Sequence, residues 1–310
     1  YINTGDSSIT YPNTYTASFD DSAFNNGDIS VSLGFSSDGD ADNDWNLLGN
    51  PYPSAIDADS FIADNSTIGG TLYFWTHNTL DSAGDNTQDD YVSWNGTGGT
   101  AGCTGCTAPD GNIASGQGFF AQALSTGSAT FTNSMRVTGS NTNFYRASAK
   151  KQVEKQAQKN RVWLNLSSET SFSQILIGFL DEATDGIDRR YDGVRFIGSA
   201  KANFYSLIED KPYAIQGRSS LKKKEIIPLG YSASILGNYK ISINNFEGKL
   251  SKSKIFLKDN LLNTKHRLDK SDYNFSVTET GEFNNRFELI IKSKSSKVKD
   301  TKNPKKDIIV

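Results

Sequence analysis

Residues 147–160 read ASAKKQVEKQAQKN, a polar stretch that is rich in lysine and contains no aromatic residue. This composition is typical of a linker or of an extended crossing between folded units. On both sides of it, short apolar runs alternate with polar turns, which is the pattern of β-strands. The stretch therefore predicts two β domains, at 1–146 and 161–292, with 293–310 as a second, Lys- and Ser-rich linker.

The two halves carry opposite charges. Residues 1–140 hold 16 Asp, no Glu, no Lys and a single basic residue, Arg136. The whole chain has 35 acidic and 32 basic residues, so residues 141–310 hold 19 acidic and 31 basic ones, and the formal charges are −15 and +12. One evenly mixed domain rarely divides in this way, so the charge supports two units with different surfaces.

Strand-like runs, such as Ile29–Phe35 and Gln174–Phe179, are short and closely spaced along the chain. The second half alone contains ten of them over about 130 residues, which is the spacing of a β-sandwich. A short helix is predicted only around Ser54–Ala63, after Pro53. The expected fold class is therefore all-β, as two tandem β-sandwich domains of jelly-roll or Ig-like type with little helix.

An acidic loop is the first candidate site. Residues 37–44 place Asp38, Asp40, Asp42 and Asp44 at alternate positions. Calcium takes about six to eight oxygen ligands, and alternate carboxylates in a looped backbone can converge on one ion. The loop does not follow the EF-hand pattern, because its glycine is misplaced and no Glu closes it. Calcium is therefore the candidate cofactor, and a solvated acidic loop is the alternative.

Cys103 and Cys106 are the only cysteines in the sequence, and they lie among Gly, Thr and Pro109. A structural metal site needs about four ligands, and no second cysteine pair or nearby histidine supplies them. A thioredoxin-like motif would stand between a strand and a helix, which this composition does not suggest. A small loop disulfide formed in an oxidising compartment is favoured, with free thiols or a redox or metal role as the alternatives.

Four aromatic residues are candidates for ligand binding. Tyr52 in the proline-flanked turn 49–53, together with Trp75, Tyr91 and Trp94, could stack on sugar rings if their faces were exposed. Against this, two prolines fix a rigid corner around Tyr52, and tryptophans in mid-strand are typical of a packed core. Both interpretations stay open, and the first predicts a glycan ligand.

No catalytic signature is evident in the sequence. His77 and His266 are isolated from any evident nucleophile or ligand set, and the G-x-S-x-G and H-E-x-x-H motifs are absent. The lysines of the second half are spread over turns and tails without a recognised binding fold, which disfavours a nucleic-acid partner. No apolar run reaches the roughly 18–20 residues that a membrane helix needs, so no membrane span is expected.

Two arginine-containing segments are expected to have structural roles. In the acidic loop 181–188, the following Arg189 and Arg190 can pair with the carboxylates. Arg286, which enters the last strand-like run, is expected to hold a carboxylate or carbonyl groups.

Several longer segments resemble a known group of proteins. They are WNLLGNPYPSAI (45–56), GQGFF (116–120), FTNSMR (131–136), RVWLNL (161–166), QGR (216–218), PLGY (228–231) and GEFNNRF (281–287). Similar segments recur near the carboxyl end of large secreted surface proteins of the Bacteroidetes, which are cargo of the type IX secretion system. The resemblance covers most of residues 30–291.

The resemblance implies export across the outer membrane of a Gram-negative bacterium, followed by display at the cell surface or release to the extracellular medium. During export the partners would be the type IX translocon and its cargo-binding outer-membrane barrel. Contact with both would run through a sorting domain that follows Val310 and is missing here. Since the sequence starts at Tyr1 and not at Met, we expect a fragment of a longer protein.

The function expected from the resemblance is that of a non-enzymatic stalk or carrier, which holds an upstream effector or adhesin domain beside the sorting signal. The alternative is an adhesin module that binds a surface glycan or another polymer through aromatic and acidic loops in residues 30–120. A hydrolase accessory or catalytic region is the third hypothesis.

Overall fold

The computed structural model describes residues 24–39, 44–76, 91–141, 159–195 and 201–293. Among these residues, strands account for 50% and helices for 7%, so the chain is all-β and sandwich-like with little helix, as the sequence predicts. The expected linker lies outside the described residues except for Lys159 and Asn160, and Asn160 already belongs to a strand. The expected second linker also lies outside them from Lys294 onward.

The first unit, residues 24–141, consists of short strands and one helix. Its strands are β1 (Ile29–Ser32), β2 (Trp45–Gly49), β3 (Ile56–Asp57), β4 (Leu72–Trp75), β5 (Tyr91–Asn95), β6 (Gly98–Gly99), β7 (Asn112–Ile113), β8 (Gly118–Gln122) and β9 (Ser128–Phe131). One antiparallel sheet has the order β2-β8-β4-β5-β6, while β1 pairs with β9 and β3 with β7. A short 3-10 helix, Asn133–Met135, follows β9.

Helix α1 (Ala58–Asp64) directly follows β3. Asp57 caps it, since its carboxylate accepts a hydrogen bond of 2.7 Å from the Ser60 amide. Phe61 on the buried side of α1 packs into the aromatic core of the first unit. A helix was expected around Ser54–Ala63. The structure confirms a helix in this region, but it begins later because the residues just before it form β3.

The second unit, residues 159–293, is built from longer strands. They are β10 (Asn160–Ser167), β11 (Phe172–Phe179), β12 (Gly193–Val194), β13 (Ala202–Ile208), β14 (Lys211–Arg218), β15 (Lys224–Ala233), β16 (Gly237–Phe246), β17 (Lys254–Asp259), β18 (Thr264–His266), β19 (Tyr273–Val277) and β20 (Gly281–Lys292). The sheet order is β18-β17-β20-β15-β13-β14-β11-β10-β16-β19, with β12 also paired to β14. A short 3-10 helix, Gly248–Lys252, joins β16 to β17.

This large sheet curls so that distant strands pack face to face. Tyr231 of β15 contacts Phe275 of β19 with ring centroids 5.5 Å apart, although β15 and β19 are well separated in the sheet order. Alternate residues of each strand, such as Val162 and Leu164 on β10, point into one hydrophobic core. The first unit has a separate core. Whether each unit is an independent domain stays a prediction.

Among the described residues, no helix has the length and apolar character that crossing a membrane requires.

Candidate functional site

The acidic loop is organised by hydrogen bonds in the part that is described. The Ser36 hydroxyl lies 2.8 Å from Asp38 Oδ1 and 3.0 Å from Asp44 Oδ1. Asp44 is buried and also accepts a bond of 2.8 Å from the Ser36 amide. Asp40 and Asp42 lie outside the described residues. Within the described ranges no group of three or more His, Cys, Asp or Glu side chains is placed to hold a metal, and calcium binding stays a prediction.

Cys103 and Cys106 are joined by a disulfide in a turn of the first unit. Their Cα atoms are 5.2 Å apart, which is within the range that a disulfide spans. The Cys106 amide donates a hydrogen bond of 3.2 Å to the Cys103 carbonyl. The bridge therefore closes a short turn that is already hydrogen-bonded.

Tyr52 and Trp94 do not present a face to solvent, so the prediction of a ligand platform is wrong for these two residues. Tyr52 is 1% exposed, and its hydroxyl donates a bond of 2.6 Å to the Gly27 carbonyl. Trp94 is 5% exposed, and its indole N–H donates a bond of 2.8 Å to Asp59 Oδ1. Both rings fill the core because their polar atoms find partners inside the protein.

Trp75 and Tyr91 are half-buried on the other face of the same sheet. They are cross-strand partners on β4 and β5, and their rings meet edge to face with centroids 5.0 Å apart. Phe120 on β8 extends the row, with its ring 5.9 Å from Tyr91, and its partner Leu47 on β2 is 68% exposed. With Trp45, these residues form what we name the outer aromatic face.

On the same side of this sheet, Tyr73 is buried against the second unit, where it contacts a short segment, residues 189–194. We name it the junction segment. Four backbone carbonyls of the segment accept hydrogen bonds from the first unit. The bonds are Gly96 N to Arg190 O at 2.9 Å, Thr97 Oγ1 to Tyr191 O at 2.7 Å, Thr71 Oγ1 to Asp192 O at 3.1 Å, and Tyr73 Oη to Val194 O at 2.8 Å. Burial raises the pKa of Tyr73, which keeps its hydroxyl a donor.

Arg189 connects the units in the opposite direction, because here a side chain of the second unit binds backbone carbonyls of the first. Its guanidinium donates to the carbonyls of Ile62 at 3.1 Å, Asn65 at 3.2 Å and Ile68 at 2.8 Å. Ile62 lies in the last turn of α1 and Asn65 is its C-cap, so the cation stands at the negative end of the helix dipole. Burial, together with the neighbouring Arg190, lowers the pKa of Arg189.

A second set of contacts joins the loop around β6 to the outer surface of β10 and β11. The Trp163 indole donates a bond of 2.8 Å to the Gly99 carbonyl, and the Ala101 amide donates a bond of 2.8 Å to Gln174 Oε1. Arg161 donates to the Thr97 carbonyl at 3.0 Å. Trp163 also packs with Leu176 and Ile215 in a small apolar cluster on this surface. The junction is therefore both apolar and hydrogen-bonded.

Two glycines permit the close approach of the units. Gly178 of β11 and Gly217 of β14 are partners in the parallel ladder. A Cβ at Gly178 would overlap the Thr97 methyl group, and one at Gly217 would lie 2.5 Å from Tyr191 Cβ. Glycines inside strands often mark such an approach, so these two are the sequence signal that could have located the junction.

Asp192 is a buried carboxylate within the junction. It accepts hydrogen bonds from the amides of Asp188 at 2.5 Å and Gly217 at 2.9 Å. Burial is the main cause that raises the pKa of Asp192 to about 7. The two hydrogen bonds lower this pKa, but by less than burial raises it. The carboxyl group therefore changes its charge near neutral pH, at the place where the units meet.

The expected ion pairs of the second acidic loop form with other cations. Asp185 pairs with Lys222 at 2.5 Å and with Arg218 at 3.6 Å, and the hydrogen bond from Lys222 lowers the pKa of Asp185 to about 2. Arg189 turns away from the loop to the carbonyls of the first unit. The prediction that Arg189 and Arg190 neutralise this loop is therefore wrong, because Arg189 finds three oriented acceptors at a helix end.

Arg286 has the structural role that the sequence predicts. Its Nε and Nη2 donate to Asp259 Oδ2 at 3.2 and 3.1 Å, and its Nη1 donates to the Tyr231 hydroxyl at 3.2 Å. The guanidinium carbon lies 4.7 Å from the centre of the Phe275 ring and 4.9 Å from that of Phe287. A buried ion pair held by aromatic rings thus closes one end of the second core.

His266 and Ser271 approach each other without forming a catalytic pair. The His266 Nε2 atom lies 2.8 Å from the Ser271 carbonyl oxygen and 3.1 Å from its hydroxyl. A carbonyl only accepts, so Nε2 carries the proton and cannot take one from the serine. His77 lies outside the described residues.

Fold and junction together define the class of protein: an all-β, sandwich-like module in which two units are tied by side chains that bind backbone carbonyls. Residues 1–291 match the family described as a domain of unknown function, DUF8693, and the chain belongs to this family. No curated protein and no solved structure matches the chain at a significant level.

Proposed function

We propose that this chain is a non-enzymatic spacer on the bacterial cell surface, a carrier within a type IX secretion cargo protein. The observation that carries the proposal is the junction. Arg189 holds three carbonyls of the first unit, and four carbonyls of the junction segment are held in return. Bonds to backbone groups fix the orientation of both partners, so the two units act as one stiff body that sets a distance.

Export in this proposal rests on the resemblance of segments such as 45–56 and 281–287 to secretion cargo. The translocon and its cargo-binding barrel would engage a sorting domain elsewhere in the full-length protein. The two units described here would be passengers, and the disulfide between Cys103 and Cys106 suits an oxidising location outside the cytoplasm.

The test replaces residues 24–293 of the full-length secreted protein by a flexible Gly/Ser chain of about 20 residues. Export should continue, and the upstream domain should become less accessible to a large antibody, because such a chain spans only about 25 Å on average. Equal accessibility in both proteins would contradict the spacer role. Hydrolysis of a polysaccharide or peptide by the intact chain would contradict the non-enzymatic part, if replacing one carboxylate or His266 abolished it.

A second candidate function is neutral glycan binding on the outer aromatic face. The specific observation is that Trp75, Tyr91 and Phe120 lie in one row across three strands and are only half-buried, next to the exposed Leu47. Aromatic rings in such rows can pack on the apolar faces of sugars. Trp75→Ala should then weaken binding to neutral polysaccharides, whereas Phe246→Ala, an exposed aromatic of the second unit, should not.

A further inference from the structure

The outer surface of β15, β20 and β17 carries lysines in register. Lys292 on the central strand is the cross-strand partner of Lys224 on one side and of Lys254 on the other. Since neighbouring strands lie about 4.8 Å apart, the three stems stand side by side across about 10 Å. All three side chains are exposed.

A fourth lysine, on β18, lies near this row at a different register position. Lys265 is the partner of Lys258, and its ammonium nitrogen lies 4.3 Å from the centre of the Phe256 ring. The Arg267 guanidinium carbon and the Lys292 nitrogen approach the same ring at 5.2 and 5.7 Å. Burial, and then the charges of Lys292, Lys224 and Lys258, lower the pKa of Lys265. We name this surface the basic face.

Few carboxylates balance the basic face. Glu288 lies 3.3 Å from Lys258, and Asp269 pairs with Arg267 at 2.5 Å. None of the ion pairs found among the described residues involves the other four lysines, which are Lys224, Lys254, Lys265 and Lys292. Like charges placed directly opposite on neighbouring strands destabilise a sheet, so a bound polyanion would relieve this repulsion.

We propose that the basic face binds an anionic polysaccharide whose carboxylate or sulfate groups lie along the lysine row. A regular polymer of this kind offers repeated charges to a flat surface, and lysine ammonium groups contact such charges as mobile point charges. Ile226, which is 45% exposed beside the row, can contact the apolar face of a sugar ring.

Nucleic acid fits the basic face less well. Single-stranded nucleic acids stack their bases on exposed aromatic rings, and Phe256 is already approached by three cations. Arg267 on this face already binds Asp269 through two parallel hydrogen bonds, so its guanidinium is not free to bind a phosphate in that way. This inference does not depend on the carrier role, since a spacer and a free binding module could both hold a surface polymer.

The experiment measures binding of the full chain to heparin, polygalacturonate, neutral dextran and single-stranded DNA at low salt. The test variant is K224Q/K254Q/K292Q. The matched control, K201Q/K211Q/K249Q, removes the same charge from exposed lysines elsewhere in the second unit. Thermal melts of all three proteins check that each is folded.

The test variant should lose about tenfold or more in affinity for both anionic polysaccharides, with a shallower dependence on salt because fewer counterions are released. The control should lose less than about threefold, and dextran should not bind. Equal losses in the two variants would overturn the assignment to this face. Absence of polysaccharide binding, or tighter binding to DNA than to either polysaccharide, would overturn the proposed ligand.

Discussion

The first unit keeps its strands to five residues or fewer, whereas the second extends β20 over 12. Long strands satisfy their backbone groups in ladders, and the second unit forms an almost continuous sheet in this way. Short strands leave many buried backbone groups between them, and these groups need other partners. The two units therefore satisfy their buried backbone groups by different means.

Asn50 illustrates the means used by the first unit. Its side-chain amide donates to the carbonyls of Ser54, Ile113 and Ala114 at 2.8, 3.0 and 3.1 Å, and its oxygen accepts a bond from the Tyr52 amide at 3.0 Å. One buried side chain thus replaces several ladder bonds between segments that are distant in sequence. The Asn- and Asp-rich composition of this half therefore serves to join distant segments as well as to form turns.

The largest effect is expected from pH, and it concerns the junction between the units. The pKa of Asp192 rises from 3.8 to about 7 on folding, so its contribution to stability is full below pH 3.8 and is lost as the pH rises to about 7. The loss is on the order of 4 kcal/mol. Urea titrations across this pH range should show the decline, and Asp192→Asn should remove it.

Asp185→Asn is the matched control for this titration. The pKa of Asp185 is lowered to about 2, so its contribution is present above pH 3.8 and is lost as the pH falls towards 2. The two variants should therefore change the pH profile in opposite regions. A profile of Asp192→Asn that keeps the decline between pH 3.8 and about 7 would exclude Asp192 as its source.

The comparison of the units predicts that Asn50→Ala is unusually costly. The change removes four hydrogen bonds, three to carbonyls and one from an amide, and we expect a loss of about 3 kcal/mol in the free energy of unfolding. Asn165→Ala in the second unit should cost only about 1 kcal/mol, because the backbone there is held by ladders. The Asn165 side chain accepts one bond from Gln174 and donates one long bond of 3.5 Å to Asn244. Equal costs of the two substitutions in urea titrations would contradict the proposed difference between the units.

Arg189→Ala should cost about 2 kcal/mol, since three carbonyls lose a charged donor at a helix end. Arg189→Lys should recover only part of this loss, because an ammonium group cannot reach all three acceptors in a fork. The exposed neighbour provides the control, and Arg190→Ala should stay within about 0.5 kcal/mol of the wild type. A wild-type stability for Arg189→Ala would show that this contact does not join the units.

The smallest effect is expected from the disulfide. Under the loop-entropy relation, a ring this short contributes about 2 kcal/mol or less, so the Cys103→Ser/Cys106→Ser variant should melt only slightly below the wild type. Mass spectrometry of the exported protein after alkylation without reductant should find no modified cysteine. Two alkylated cysteines would show that the thiols are free.

Local patterns in the sequence predict the strands well and the contacts between units poorly. The run predicted at 174–179 is most of β11, because a short apolar run such as Ile175–Ile177 is typical of a strand that is buried on both faces. The run predicted at 29–35 is strand only as far as Ser32, since pairing with β9 ends there. Pairing of β11 with β14 in parallel joins segments that no local pattern connects.

The site residues show the same limit. Nothing near Arg189 in the sequence reveals that its acceptors lie more than a hundred residues earlier, so the adjacent acidic loop was the natural expectation. Likewise the face on which Trp94 lies depends on the register of β4 with β5. The contacts of residues such as Arg189 depend on segments distant in sequence, so only the structure reveals them. The role of Arg286 was predictable because the strand that it enters was predictable.

Differential scanning calorimetry of the full chain tests the central claim, that the junction makes the two units one stiff body. We expect a single cooperative transition for the wild type, and two resolved transitions once Arg189→Ala is combined with Thr97→Val to remove bonds in both directions. Two separate transitions in the wild type would contradict this claim, because the two units would then unfold independently.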